Sequence, residues 1–274
     1  MQNLQDIRNL FGELLKSNTI ITDGAQSTIE LLGESFAVEH QAPRFKQVPD
    51  SLFGTVSIDY VNKELDWYKS ESRNVYDMPN PPAIWKKISD KDGNINSNYG
   101  WCIYSKENGE QFKNVVRELR KNKSSRRASM IYTRPTMHSD YNTNGMSDFV
   151  CTNGVQFSIR NDVLSCQVQM RSNDAIFGFK NDLFWHNYVL TELHKELKTD
   201  YPELVIGRTY WNASSLHVYE SHFYLVYHYM KTGDKTITKK DFKNLYSDYI
   251  ETGLTKDGKE TCYFKDEDNI SFRI

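Results

Sequence analysis

Apolar positions along the chain mark out helical and extended segments in an irregular order. Leu4, Ile7, Leu10, Leu14 and Leu15 recur at helical spacing and predict an amphipathic helix over residues 3–16. Residues 27–39 (STIELLGESFAVE) read as a strand, with Gly33 predicting a bulge or a sharp bend. Helices are expected around 58–70 and from about Gly109 to Lys121. Between them, residues 76–98 are rich in Pro, Asn, Asp and Gly and read as a long structured loop. From Ala128 to Met170 the pattern is mostly strand, broken by a polar turn at 139–147. A long helix at about 182–198, a strand at 204–209 and a helix near 219–231 follow. The last thirty residues, 245–274, are polar and charged and read as an appendage. Helices and strands do not alternate regularly, which predicts an α+β fold over a doubly wound sheet. No repeat or Gly/Ser linker divides the chain, so 1–246 is read as one domain and 247–274 as a C-terminal extension.

Composition narrows the function classes. A formal net charge of -2 over 274 residues gives no global electrostatic case for binding a nucleic-acid polymer. A small anion needs only a local basic pocket. Met1–Leu10 lacks the apolar core of a leader peptide, and no stretch approaches the roughly 20 apolar residues of a membrane helix. Cysteines stand singly at 102, 151, 166 and 262, without the pairing or His spacing of a zinc site, so no metal is expected. That usage fits a reducing cytoplasm, where a free thiolate survives as a nucleophile.

Four groups of residues suggest chemistry. Cys151 opens a strand-like run in SDFVCTNGVQFSIR; a lone cysteine is more often a buried structural residue, and its neighbours raise the nucleophile reading. Arg171 and Ser172 end the apolar strand VLSCQVQM, where a guanidinium and a hydroxyl can hold a phosphate. Arg126 and Arg127 stand side by side past a helix end, where they repel unless an anion lies between them. His217 and Tyr219 are two apart; in an extended run both face one side and can reach a sugar hydroxyl.

In this order the segments LDWYKS (65–70), NINSNYGW (94–101), SSRRASMIYTRP (124–135), MSDFVCTN (146–153), MRSNDAIFGFKND (170–182) and SLHVYESHFYLV (215–226) resemble the thymidylate synthase superfamily. They are most similar to its bacteriophage branch, the deoxycytidylate hydroxymethylases. The resemblance implies a large mixed β-sheet flanked by helices, and a homodimer with the two sheets packed back to back. It implies Cys151 as nucleophile, Arg171 and Ser172 as phosphate ligands, and Arg126 and Arg127 as the pair reaching the neighbouring subunit's phosphate. His217 and Tyr219 match the deoxyribose contacts, Glu64 the water-ordering glutamate, and Tyr99 the active-site tyrosine. Asp174 matches the aspartate holding the folate ring, with Trp85 a second folate contact. The implied co-substrates are dCMP and 5,10-methylenetetrahydrofolate, and the implied setting is the cytoplasm of a phage-infected bacterium. Two departures stand out. Thr152 follows the cysteine where thymidylate synthases carry His, a change the phage enzymes share, and DGAQS (23–27) lacks the family's usual basic residue.

Asp182 falls where thymidylate synthases place an Asn that reads uracil. A side-chain amide complements uracil N3–H and O4, whereas a carboxyl group complements cytosine, accepting from the 4-amino group and sharing a proton with N3. Taken alone, Asp182 also reads as the N-cap of the helix FWHNYVLTELHKEL. With the family register, the sequence predicts a Cys151–C6 adduct on dCMP, one-carbon transfer to C5, and water addition giving 5-hydroxymethyl-dCMP. The rival outcomes are hydride transfer, as in a dCMP methyltransferase or a thymidylate synthase, and a non-catalytic nucleotide-binding relative.

Overall fold

Asn3 starts the first helix, α1 (Leu4–Lys16). Its side chain accepts from the amides of Gln5 and Asp6, and the Asp6 carboxylate accepts from the Asn3 amide. The apolar face so aligned buries Ile7, Phe11 and Leu15. In this computed structural model residues 1–23, 26–40, 50–254, 258 and 260–274 are described. A short β1 (Ile21–Asp23) leads into β2 (Gln26–Val38), then α2 (Ile58–Lys69), α3 (Ala83–Ile88), α4 (Tyr99–Tyr104) and α5 (Gln111–Lys121). Next come β3 (Ser129–Ile131), α6 (Met137–Asp140), β4 (Thr152–Arg160), β5 (Val163–Met170) and β6 (Asn173–Asp174). The helix α7 (Gly178–Lys198) and the strand β7 (Val205–Tyr219) are the longest of their kinds, and α8 (Phe223–Thr232) follows.

The main sheet runs β1-β2-β7-β5-β4-β3, with β6 beside β7. It is mixed: β7 pairs antiparallel with β2 but parallel with β5 and β6. β7 reaches fifteen residues because its first half pairs with β5 and its end with β6. The polar run Asn212–Ser215, which looks like a strand end in sequence, lies within this pairing. Gly33 adopts φ 68°, a region open mainly to glycine, yet the β2–β7 register is the same on both sides of it. The expected feature is therefore a bend with no inserted residue.

Helices cover one sheet face, and Val155, Phe157, Leu164, Val168, Phe179, Trp185 and Trp211 are buried there. The opposite face carries Ser165, Gln167, Gln169 and Asn212 and leaves Leu32 exposed. Among the described residues no helix is long and apolar enough to cross a membrane.

The expected C-terminal appendage is instead packed structure. α9 (Lys239–Leu245) is followed by β8 (Ile250–Leu254), β9 (Glu260–Lys265) and β10 (Ser271–Arg273), which form a separate antiparallel sheet. Phe264 and Phe272 stack at 4.9 Å and close against Tyr227 of α8, while the Tyr227 hydroxyl donates to Asp266 at 2.9 Å. Each buried phenylalanine contributes about 1.5–3 kcal/mol. Apart from the buried Asp266, most of the described polar residues of this segment are exposed or half-buried.

Candidate active site

The β4–β5 hairpin joins the cysteine to the arginine. Thr152 pairs with Met170, so Cys151 just before β4 meets Arg171 just after β5, and the Arg171 amide donates to the Cys151 carbonyl at 2.9 Å. The guanidinium is locked by the Val150 carbonyl (3.0 Å) and the Phe149 carbonyl, stacks 4.6 Å over the Phe149 ring, and lies 3.7 Å from Cys151 Sγ. Ser172 and β6 follow directly. Asp174 accepts from the amides of Ile176 (2.9 Å) and Phe177 (3.1 Å), which fixes the turn ahead of α7. In the parallel β6–β7 pairing Asp174 lies beside His217, whose ring meets Tyr219 edge to face at 5.0 Å.

Helices supply the other wall. Gly100 permits their approach: a Cβ there would lie 1.7 Å from the Tyr68 carbonyl oxygen, so only glycine lets α4 sit on the end of α2. That contact stacks Tyr99 on Tyr68 at 5.4 Å. One turn earlier on α2, Glu64 accepts from the Tyr60 hydroxyl at 2.5 Å, and the Trp85 indole donates to that hydroxyl at 3.0 Å. Asp182 projects from α7, where Asn173 Nδ2 donates to its Oδ2 at 2.9 Å. Between the walls lies a cavity of about 260 Å³ lined by Glu64, Tyr99, Cys151, Ser172, Asp174 and Asp182. Ile84, Trp85, Ile88 and Phe177 form its apolar edge.

Burial sets the protonation states. It raises Asp182 well above the ordinary carboxylate range, helped by the nearby Glu64 carboxylate and opposed by hydrogen bonds from Asn173 and Tyr99. Asp182 therefore holds a proton more tightly than an ordinary carboxyl group. Glu64 is pushed up to about 7 by burial, against the hydrogen bond from Tyr60 and the Trp85 indole beside it. Burial also pushes the Cys151 thiol up to about 11, with Arg171 pulling the other way. Asp148, raised by burial, accepts from the amides of Asn96 and Ser97 (both 2.7 Å) and the Ser97 hydroxyl (2.6 Å), tying the segment before α4 to the one before Cys151.

Glu64, Trp85, Tyr99, Cys151, Ser172, Asp174 and Asp182 line this cavity, whereas Arg171, His217 and Tyr219 lie beside its strand wall without lining it. Arg126 and Arg127 are exposed, away from this cavity; Arg127 lies 3.6 Å from Glu118. Of the 23–27 loop, Gly24 and Ala25 lie outside the described residues. Asp182 does not cap a helix: α7 begins at Gly178 after Phe177, placing Asp182 inside it. Thr152 is fully buried, with its hydroxyl 3.2 Å from Met170 Sδ. Sequence reasoning missed Tyr60, Asp148 and Asn173. Tyr60 lies one turn from Glu64 and Asp148 three residues before Cys151, but nothing local marks either as part of a site.

Residues 18–254 match the thymidylate synthase family. The chain is 44% identical over 244 residues to the deoxycytidylate 5-hydroxymethyltransferase of Enterobacteria phage T6, covering 88% of this chain and 96% of that protein. It is 43% identical over 248 residues to the enzyme of the same name from Enterobacteria phage T4, covering 89% and 97%. Similarity to the thymidylate synthase of Francisella tularensis subsp. holarctica (strain LVS) is lower, 25% over 178 residues, covering 61% and 63%. The fold matches thermostable thymidylate synthase A from Bacillus subtilis with a TM-score of 0.59 at 20% identity, over 81% of this chain and 84% of that one. A seven-stranded mixed sheet, a cysteine beside an arginine at its strand ends, and these matches together make the chain a member of the thymidylate synthase family.

Proposed function

We propose that the protein is a deoxycytidylate 5-hydroxymethyltransferase, converting dCMP to 5-hydroxymethyl-dCMP through a Cys151–C6 adduct. The observation that carries this reading is Asp182, a buried carboxyl group with a raised hold on its proton, sharing one small cavity with the Cys151 thiol. A neutral carboxyl accepts from the cytosine 4-amino group through one oxygen and gives its proton to N3 through the other. Uracil, with N3–H and O4, leaves that arrangement mismatched, and such mismatches cost about 10⁴-fold in selectivity when a site is built for one edge. The names of the phage relatives support the same substrate and product.

Cys151 loses its proton as Sγ bonds to C6, and the Asp182 proton on N3 neutralises the charge that the addition pushes into the ring. C5, now nucleophilic, bonds to the one-carbon unit; loss of the C5 proton then breaks the bond from that carbon to the folate nitrogen, releasing tetrahydrofolate and leaving an exocyclic methylene. Water adds to that carbon and releases its proton. Glu64, near 7 and hydrogen-bonded by Tyr60, is the group poised to receive it. Cleavage of the S–C6 bond restores the ring and frees the thiolate. The co-substrate 5,10-methylenetetrahydrofolate supplies the carbon at the oxidation level of formaldehyde. Asp174 and the Trp85 edge of the cavity suit a flat heterocycle with N–H donors. Arg171 and Ser172 take the phosphate, and His217 and Tyr219 the sugar. Arg126 and Arg127, exposed in one chain, serve the partner's phosphate in a back-to-back homodimer. The enzyme works in the cytoplasm of an infected bacterium.

Purified protein incubated with dCMP and 5,10-methylenetetrahydrofolate gives a nucleotide heavier by CH2O, with no dihydrofolate absorbance. A product heavier by CH2, with dihydrofolate formed, replaces water by hydride. Turnover of dUMP alone overturns the reading of Asp182.

A further inference from the structure

One hydrogen-bonded series lies outside the reaction cavity. Glu30 of β2 stands directly across from His217 of β7, and Ser215 precedes His217 by two residues on the same strand face. The Ser215 hydroxyl donates to Glu30 Oε1, and its oxygen lies 3.2 Å from His217 Nδ1. A serine hydroxyl has one hydrogen to give. Once that hydrogen is committed to a carboxylate, Ser215 can only accept from the imidazole, so Nδ1 carries the proton. Burial lowers the affinity of His217 for a second proton, with Arg171 acting in the same sense and Asp174 and Glu30 opposing, and the ring stays neutral. Nε2 is then a bare lone pair. Among the described residues the hydrogen bond found for this ring is the one at Nδ1.

We infer that Glu30 and Ser215 are positioning residues that set His217 in the Nδ1–H tautomer, so that Nε2 accepts a hydrogen bond and selects a nucleotide with a donating hydroxyl on its sugar. The inference rests on the proposed reading of the cavity as a dCMP site, in which His217 faces the deoxyribose. A lone pair at Nε2 rewards a free 3′-hydroxyl and gives nothing to a group that can only accept. The site thereby disfavours any nucleotide esterified at its 3′-oxygen, as every internal nucleotide of a polymer strand is.

Two measurements test this. Nitrogen NMR of the ¹⁵N-labelled protein, with His217 assigned by comparison with His217→Gln, should show the proton on Nδ1 and an unprotonated Nε2. Finding the proton on Nε2 overturns the relay whether or not the protein binds dCMP. Binding of dCMP is then compared with its 3′-deoxy-3′-fluoro analogue, which is nearly isosteric but cannot donate. The intact protein should prefer dCMP about tenfold, the worth of one well-placed hydrogen bond. Ser215→Ala should reduce that preference to about threefold or less, raising KM with kcat nearly unchanged, and Ser215→Thr, which keeps the hydroxyl, should restore it. A full preference surviving in Ser215→Ala refutes the proposal. Failure to bind dCMP at all sinks the cavity reading and the sugar contact with it, while the tautomer still decides the relay.

Discussion

The two walls of the cavity hold their polar groups in different ways. On the strand wall, Arg171 is fixed by the carbonyls of Phe149 and Val150, and Asp174 by the amides of Ile176 and Phe177. On the helix wall, Glu64 and Asp182 are held by other side chains: Tyr60 and, through it, Trp85 in one case, Asn173 and Tyr99 in the other. Backbone partners are as rigid as the sheet and fix position. Side-chain partners in a buried setting leave a proton free to move, and both carboxyl groups there sit above their ordinary range. In the proposed reaction the strand wall orients the nucleotide, while the helix wall manages protons and reads the base.

That division can be broken from either side. Cys151→Ala should abolish turnover, by on the order of 10⁴-fold or more, while dCMP still binds in titration calorimetry. Loss of binding along with turnover would mean that the cysteine is a structural member of the strand wall. Asp182→Asn should leave the strand wall intact and move the ratio of kcat/KM for dCMP over dUMP by about 10³-fold towards dUMP. An unchanged ratio removes base reading from the helix wall.

Glu64→Gln should lower turnover about 10²-fold. It also carries a stability signature. Because the folded-state value, about 7, exceeds the ordinary 4.5, the folded protein holds this proton more tightly than the unfolded chain does. That contribution is complete below pH 4.5 and is lost as pH rises through about 7, amounting to about 3 kcal/mol at most. Chemical denaturation should show wild type losing stability relative to Glu64→Gln across that window. A parallel pair of profiles would mean that Glu64 titrates normally. The smallest effect concerns the thiol. Alkylation of Cys151 should quicken up to about pH 11, and Arg171→Gln should slow it at pH 9 by about threefold to tenfold.

The contrast between the walls also explains what the sequence made legible. Strand-wall residues are close in sequence to the motifs that announce them: Cys151 immediately precedes β4, and Arg171, Ser172 and Asp174 lie just past the end of β5. Asp182 was legible in register but not in local role, since helix α7 starts four residues before it without a capping side chain. Tyr60, Asn173 and Asp148 acquire meaning only through contacts: Asp148 answers to amides more than fifty residues away. The extent of β7 was hidden for the same reason, because Asn212–Ser215 is poor strand sequence held extended by β2 along one side and by β5 as far as Ala213 on the other. In the C-terminal sheet, Phe264, Ile270 and Phe272 are buried within a mostly polar stretch, too few to mark a core until α8 is set beside them.

The Asp148 knot has a consequence for motion. Asn96 and Ser97 belong to no helix or strand, yet their amides end on one buried carboxylate, and the Asn96 side chain also donates to the Asp148 carbonyl at 3.0 Å. Neither amide can reach solvent without tearing that carboxylate from its other partners. In deuterium exchange these two positions will therefore behave as members of the slowest-opening unit of the molecule, an irregular loop with the protection of a central strand.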